Sequence, residues 1–209
     1  MKTRVAINGF GRIGRITFRI AHERDDLDIV GINDLTDTKT LAYLLAHDSN
    51  YGNYQHKVEF DEKNLIIDGV AIPVLAEKDP NNLPWRDLNV DVVIESTGRF
   101  TTGEAARTHI NAGAKRVVIS APSKSDDVKT IVIGANDEEL KDAGEIISNA
   151  SCTTNSAAAA NQNSSRLLLI AGLHGIDHSC SKHREVILRI KPSVSFIDHF
   201  ITATFKKLR

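Results

Sequence analysis

The sequence predicts an α/β fold, a doubly wound and mostly parallel sheet with an incomplete second domain. Three observations point there. Short β-rich apolar runs alternate with helical segments from residue 3 to about residue 150, an order that favours parallel strands joined by crossover helices. The first apolar run ends directly in Gly9, Gly11 and Gly14, a GxGxxG pattern at a strand-to-helix junction. Beyond residue 155 the composition changes abruptly. Residues 156–209 hold 8 Lys+Arg against 3 Asp+Glu, whereas residues 1–155 hold 18 against 24.

The elements follow in chain order. "TRVAING" from Thr3 is a buried strand, and "RIGRITFRIAHE" a helix on which Ile13, Ile16, Phe18 and Ile20 approximate an apolar face. "LDIVGIND" is a second buried strand and "TKTLAYLLAHD" a second helix. In "HKVEFDEKNLIIDGVAIPVLAE", Asp68-Gly69 lies between two apolar runs, a strong hairpin signature. "VDVVIEST" is a third buried strand. It leads to the helix "TTGEAARTHINAGA", with Thr101 or Thr102 as N-cap and Gly113 near the C-terminus. "KRVVISAPS" and "KTIVIGAN" read as strands, "DEELKDAG" as a short helix, and "EIISNAS" as a last strand that delivers Cys152.

Composition bounds the function. Net charge is −1, with 25% charged and 41% hydrophobic residues, so nothing calls for a nucleic-acid partner. The apolar runs are far shorter than a bilayer requires. The N-terminus reaches glycine at position 9 without a signal-peptide core, which makes a cytoplasmic chain the expectation. Cys152 and Cys180 form neither a CxxC pair nor a disulfide framework. His174, His178, Cys180 and His183 fit no closed zinc spacing, so no metal is expected.

The glycine loop has a specific physical reading. The first glycine permits a tight turn, the second admits a pyrophosphate to the backbone, and the third allows close helix–strand packing. The helix start then offers amide N–H groups to phosphate. Asp34 follows Gly14 by twenty residues, at the end of the second strand. An acid there binds a ribose diol and repels a 2′-phosphate, which predicts a Rossmann-type site for NAD rather than NADP. The alternative is a glycine-rich turn with an unrelated surface aspartate. "SNASCTTN" places Cys152 between a strand and a helix start, where dipole and amides stabilise a thiolate. A small buried hydrophobe is the competing fate of such a cysteine.

"AINGFGRIG", "ESTGRFTTGEAARTHINAGAKRVVISAPS" and "SNASCTTN", together and in register, resemble the phosphorylating glyceraldehyde-3-phosphate dehydrogenases. The likeness runs from about residue 3 to about residue 157. It implies a domain at 1–150 that binds NAD through Asn8, Gly9, Phe10, Gly11, Arg12, Ile13, Asn33, Asp34, Lys78, Ser96, Thr97, Gly98, Phe100 and Ser120. Lys78 stands where many members have arginine. It implies a substrate loop of Ser151, Cys152 and Thr153 with Cys152 as nucleophile. In such an enzyme the thiolate adds to glyceraldehyde 3-phosphate, hydride leaves to nicotinamide, and inorganic phosphate releases 1,3-bisphosphoglycerate from the thioester. The family is glycolytic and homotetrameric. Erythrose-4-phosphate dehydrogenase shares the fold and chemistry. An NAD-binding module without turnover is the reading from a different class.

The likeness stops after "SNASCTTN". "SAAAANQNSS" lacks the apolar period of the helix expected there, so residues 151–209 read as the nucleophile loop and a truncated or aberrant start of the catalytic domain. "HFITATFKKLR" is similar to the family's stretch around its base histidine. His199 would match that base, with Thr202 and Thr204 behind it; an ordinary surface histidine is the alternative.

Overall fold

The structure is a computed structural model that describes residues 1–133 and 135–155. Among these residues one sheet holds β1 (Thr3–Asn8), β2 (Leu27–Asn33), β3 (Val58–Phe60), β4 (Asn64–Ile67), β5 (Val70–Leu75), β6 (Val92–Glu95), β7 (Arg116–Ile119), β8 (Lys129–Thr130) and β9 (Ile146–Ser148). Their spatial order is β3-β4-β5-β2-β1-β6-β7-β9-β8. Every pairing from β5 to β8 is parallel, and only β3-β4 and β4-β5 are antiparallel. The stretch β5-β2-β1-β6-β7-β9 follows the strand order of the dinucleotide-binding fold, with the reversal between β1 and β6. The expected doubly wound parallel sheet is thus the observed one.

Three helices cover it: α1 (Arg12–His22), α2 (Thr38–Ala46) and α3 (Gly103–Asn111). Side chains alternate along each strand, so Val5 and Ile7 enter a core with Phe18, Leu41 and Leu45 of α1 and α2. Ala6 instead enters a second core with Trp85, Val93, Ala106 and Val117, beneath α3. Helices on both faces explain why the central strands read as continuous apolar runs. Asp37 caps α2 by accepting from Thr40 N at 2.9 Å, and Thr102 caps α3 by accepting from Ala105 N at 3.2 Å. Between β4 and β5, Asp68 (φ 49°) and Gly69 (φ 85°) form the expected hairpin turn.

Three expectations need correction. On the expected apolar face of α1, Phe18 and Ile20 are buried and Ile16 packs against the core, but Ile13 is 43% exposed, and Gly14, Thr17 and Ala21 are buried as well. "KTIVIGAN" yields only the two-residue β8. The Asn136 side chain accepts from Val132 N at 2.8 Å and donates to Thr130 O at 3.0 Å, capturing backbone groups that a longer ladder would use. With that side chain occupied, the following Asp137–Asp142 segment has no side-chain cap and is a 3-10 rather than an α-helix. Among the described residues no helix is long and apolar enough to cross a membrane.

Candidate nucleotide site and nucleophile loop

A cleft of about 290 Å³ opens at the carboxyl ends of the parallel strands, where β1 separates from β6. It is lined by the ends of β1 and β2, by the loop after β5, and by the loop after β6. Of the residues expected at the cofactor, it gathers Asn8, Gly9, Gly11, Asn33, Asp34, Lys78, Ser96, Thr97 and Phe100. Leu35, Glu77 and Arg99, which were not among the expected cofactor residues, also line it.

The three glycines of the loop differ in what surrounds them. Gly9 has φ +92°, and a Cβ there would lie 2.7 Å from Thr97 N. The β1 loop and the β6 loop can therefore touch only if this residue lacks a side chain. A Cβ on Gly14 would drive into the Gly9 carbonyl, so the third glycine lets α1 seat on the loop. A Cβ on Gly11 would meet nothing within 4 Å. Gly11 is the N-cap of α1, with no side-chain cap bond and no acid in the first turn. No side chain therefore caps the amides of that turn, and the residue that opens it lines the cleft, an arrangement suited to an anion.

Asp34 sits at the end of β2, with one carboxylate oxygen accepting from Phe10 N at 2.7 Å and the other from Thr36 N at 2.9 Å. It fixes the glycine loop and retains lone pairs on the cleft side for further donors. Phe10 itself contributes shape. Its amide goes to Asp34, and its ring is buried edge-on against Phe18 at 5.6 Å. The Ser96 hydroxyl lies 2.6 Å from Gly9 O and 3.1 Å from Asn8 O, closing the loop from the β6 side. Arg12 and Ile13 are exposed at the start of α1, Gly98 is exposed with φ +73°, and Ser120 follows β7. None of these four lines the cleft.

Beneath the cleft runs a buried polar chain that sequence reasoning missed. Asn33 donates to Asn8 at 2.7 Å, and Asn8 donates to Glu95 Oε2 at 2.5 Å. The other Glu95 oxygen accepts from Thr97 N at 2.8 Å and from the Thr97 hydroxyl. His109 Nε2 lies 3.0 Å from Glu95 Oε2, and Trp85 Nε1 lies 3.0 Å from His109 Nδ1. Indole is only a donor, so Nδ1 accepts and Nε2 carries the proton given to Glu95. Glu95, His109 and Trp85 are each at most 1% exposed, so the carboxylate is satisfied by donors instead of water. The available signature was a Glu closing an apolar strand and a His within a helix, neither of which names its partner.

The nucleophile loop lies after β9. Ala150 takes a left-handed conformation (φ 60°), and Ser151 then starts a helical turn of Cys152–Asn155. Ser151 Oγ accepts from Thr154 N at 3.0 Å and lies 2.8 Å from the hydroxyls of Thr153 and Thr154. Asn155 donates to Asn149 O at 2.7 Å and Ser151 O at 2.9 Å, tying the turn to its own entry. Cys152 occupies the first position of this turn and is exposed, so the buried-hydrophobe reading does not hold. Cys152 is not among the residues lining the nucleotide cleft. His199, Thr202, Thr204 and the histidines at 174, 178 and 183 lie outside the described residues.

Comparison with known proteins agrees with this geometry. Residues 3–103 match the family described as glyceraldehyde 3-phosphate dehydrogenase, NAD binding domain. The chain is 59% identical over 157 residues to glyceraldehyde-3-phosphate dehydrogenase of Thermotoga maritima, covering 74% of this chain and 47% of that one. It is 52% identical over 159 residues to the Geobacillus stearothermophilus enzyme and 54% over 159 residues to the cytosolic enzyme of Trypanosoma brucei brucei, in each case covering 76% of this chain and 47% of the relative. The chain thus spans about half the length of the relatives it matches. Residues 3–103, built around this glycine loop, are thus similar to the NAD-binding domain of the glyceraldehyde-3-phosphate dehydrogenases.

Proposed function

We propose that this chain supplies the NAD-binding half and the nucleophile of an NAD-dependent, phosphorylating oxidation of glyceraldehyde 3-phosphate. The observation that carries the reading is the cleft at the β1/β6 reversal, where an open helix N-terminus and Asp34 face one space. The α1 amides at Gly11 hold the pyrophosphate, and Asp34 takes the ribose diol while keeping its bond to Phe10. Phe100, half-buried over His109 at 6.0 Å, offers an apolar wall, and Lys78 a cation at the rim. Bound NAD would accept the hydride. Arg12, Ile13, Gly98 and Ser120 belong to this reading by family resemblance, not by cleft lining.

At the second locus, the Cys152 thiolate adds to the aldehyde carbon, and the aldehyde oxygen becomes the thiohemiacetal hydroxyl. Loss of hydride from the carbon, with the hydroxyl proton passing to the base, leaves a thioester, and inorganic phosphate displaces the thiolate to give 1,3-bisphosphoglycerate. Ser151 and Thr153, whose hydroxyls meet at 2.8 Å, provide donors beside the sulfur-bearing residue. His199 is the proposed base. The proposed division is a cofactor domain at 1–150 and a catalytic segment from 151. The cytoplasm is the proposed location, and a homotetramer the proposed assembly.

Two measurements test this. Isothermal titration should show NAD binding more tightly than NADP; equal affinity would refute the cofactor reading. NADH formation from glyceraldehyde 3-phosphate, NAD and phosphate should then disappear in Cys152→Ser, with NAD affinity kept. NAD binding without turnover would select the silent NAD-binding module, and faster turnover of erythrose 4-phosphate would select that enzyme.

A further inference from the structure

Away from the nucleotide cleft, side chains from three separate parts of the chain converge. His22 and Glu23 stand at the end of α1, His56 precedes β3, and Asp68 opens the turn between β4 and β5. The His56 ring lies between two carboxylates, with Nδ1 2.5 Å from Asp68 Oδ2 and Nε2 2.5 Å from Glu23 Oε1. The His22 ring meets the His56 ring nearly at right angles, with centroids 4.8 Å apart. One donor atom each from His22, His56 and Asp68 all lie within 4.8 Å of one another.

We propose that His22, His56 Nδ1 and Asp68 bind a zinc ion, with water as fourth ligand and Glu23 as the outer partner of His56. The donor set selects the metal. Two imidazoles and one carboxylate suit zinc and its late first-row neighbours, whereas calcium and magnesium seek oxygen alone. Glu23 is the independent observation. An imidazole that ligates a metal through one nitrogen characteristically gives its other N–H to a carboxylate, which fixes the tautomer and raises ligand basicity. The remaining ligands are held before any ion arrives. Asp68 Oδ1 accepts from Lys57 N at 2.9 Å, which aims Oδ2 at His56. His22 stacks on Phe18 with centroids 5.7 Å apart and rings 10° from parallel. Ligand bonds near 2.0–2.1 Å place tetrahedral donors roughly 3.3 Å apart. The Asp68–His56 contact must therefore open by about 1 Å, a small motion for an exposed aspartate on a turn. The ion would cross-link the end of α1 to the antiparallel strands β3–β5. This proposal is independent of the nucleotide site and goes beyond it.

The test uses the full chain carrying Cys152→Ser and Cys180→Ser, so that no thiolate competes. Cobalt(II) is titrated while its visible d–d absorption is followed, and zinc is then used to displace it. The expected result is a tetrahedral cobalt spectrum lost in His22→Gln, His56→Gln and Asp68→Asn, and a zinc affinity weakened about 10- to 100-fold in Glu23→Gln. Zinc should also raise the melting temperature of the parent but not of His56→Gln. Preserved circular dichroism and NAD affinity in each variant exclude unfolding as the cause of any loss. Cobalt and zinc binding unchanged in all three ligand variants, or absent from the parent, would overturn the proposal. The cluster would then be an ion-paired imidazolium between two acids.

Discussion

Replacing Gly11 and Gly14 one at a time with alanine should separate binding from folding within one loop. Gly14 lies inside α1, where alanine is favoured over glycine by about 0.8–1.0 kcal/mol of helix propensity. The structure opposes that gain. The new Cβ would collide with the Gly9 carbonyl oxygen, 3.1 Å from the Gly9 carbonyl carbon and 3.2 Å from Ile7 Cγ2. The obstacle is mainly backbone of a loop already tied to Asp34 and Ser96, so no flexible side chain can yield. Overpacking of this kind costs typically about 1–3 kcal/mol, and the backbone contact puts it at the upper end. The net loss is then ~2 kcal/mol, or a melting temperature lower by roughly 4–8 °C at about 2–4 °C per kcal/mol. At Gly11 nothing lies within 4 Å, so the variant pays only the poorer N-cap, ~0.5 kcal/mol. Its Cβ would nevertheless fill the space through which a pyrophosphate reaches the α1 amides. Thermal melts followed by Trp85 fluorescence, paired with NAD titrations, read both quantities. Gly14→Ala should melt several degrees lower, whereas Gly11→Ala should melt near the parent and lose most NAD affinity. A Gly14→Ala protein as stable as the parent, or a Gly11→Ala protein that binds NAD as tightly, would refute this account of the loop.

Asp34→Ala should narrow the preference for NAD over NADP in paired titrations. It should also weaken NAD itself, because Phe10 N loses its acceptor. His109→Leu strands the Trp85 indole N–H in the core, at about 1–3 kcal/mol, and leaves Glu95 Oε2 with Asn8 as its remaining donor; denaturant titration should show a midpoint shift accompanied by altered Trp85 emission. Burial pushes the Asp91 carboxyl up, but the Arg4 amide at 2.9 Å and the Lys115 ammonium at 2.7 Å outweigh it and hold the pKa below its ordinary value. Its contribution is therefore fully present above the unfolded pKa, near 3.9, and is lost as pH falls through the lower folded value. Asp91→Asn should be less stable than the parent at neutral pH, and the gap should close below about pH 4 in melts across pH.

Much of this protein was legible before any fold was known, wherever the deciding physics acts within a few residues. Gly9, Gly11 and Gly14, Asp34 at the strand end, Asp68-Gly69 and the Thr102 cap each announce themselves through local backbone chemistry, and each occupies the expected place. Alternating apolar runs and helices likewise specified the parallel sheet, because a strand covered on both faces must be apolar throughout. Tertiary structure decided what depends on distant partners. Ile13 faces outward because the sheet selects a helical face that begins at Gly14. β8 stops early because Asn136 reaches back to Thr130 and Val132. Trp85, His109, Glu95 and Asn8 form one buried chain across 101 residues of separation between Asn8 and His109. His22, His56 and Asp68 share no motif spacing, and only the packing of α1 against the β3–β5 strands brings them together. Periodicity and turn chemistry report a residue's own backbone, whereas a side chain's partner across the fold is set by topology and register, which no short stretch of sequence contains.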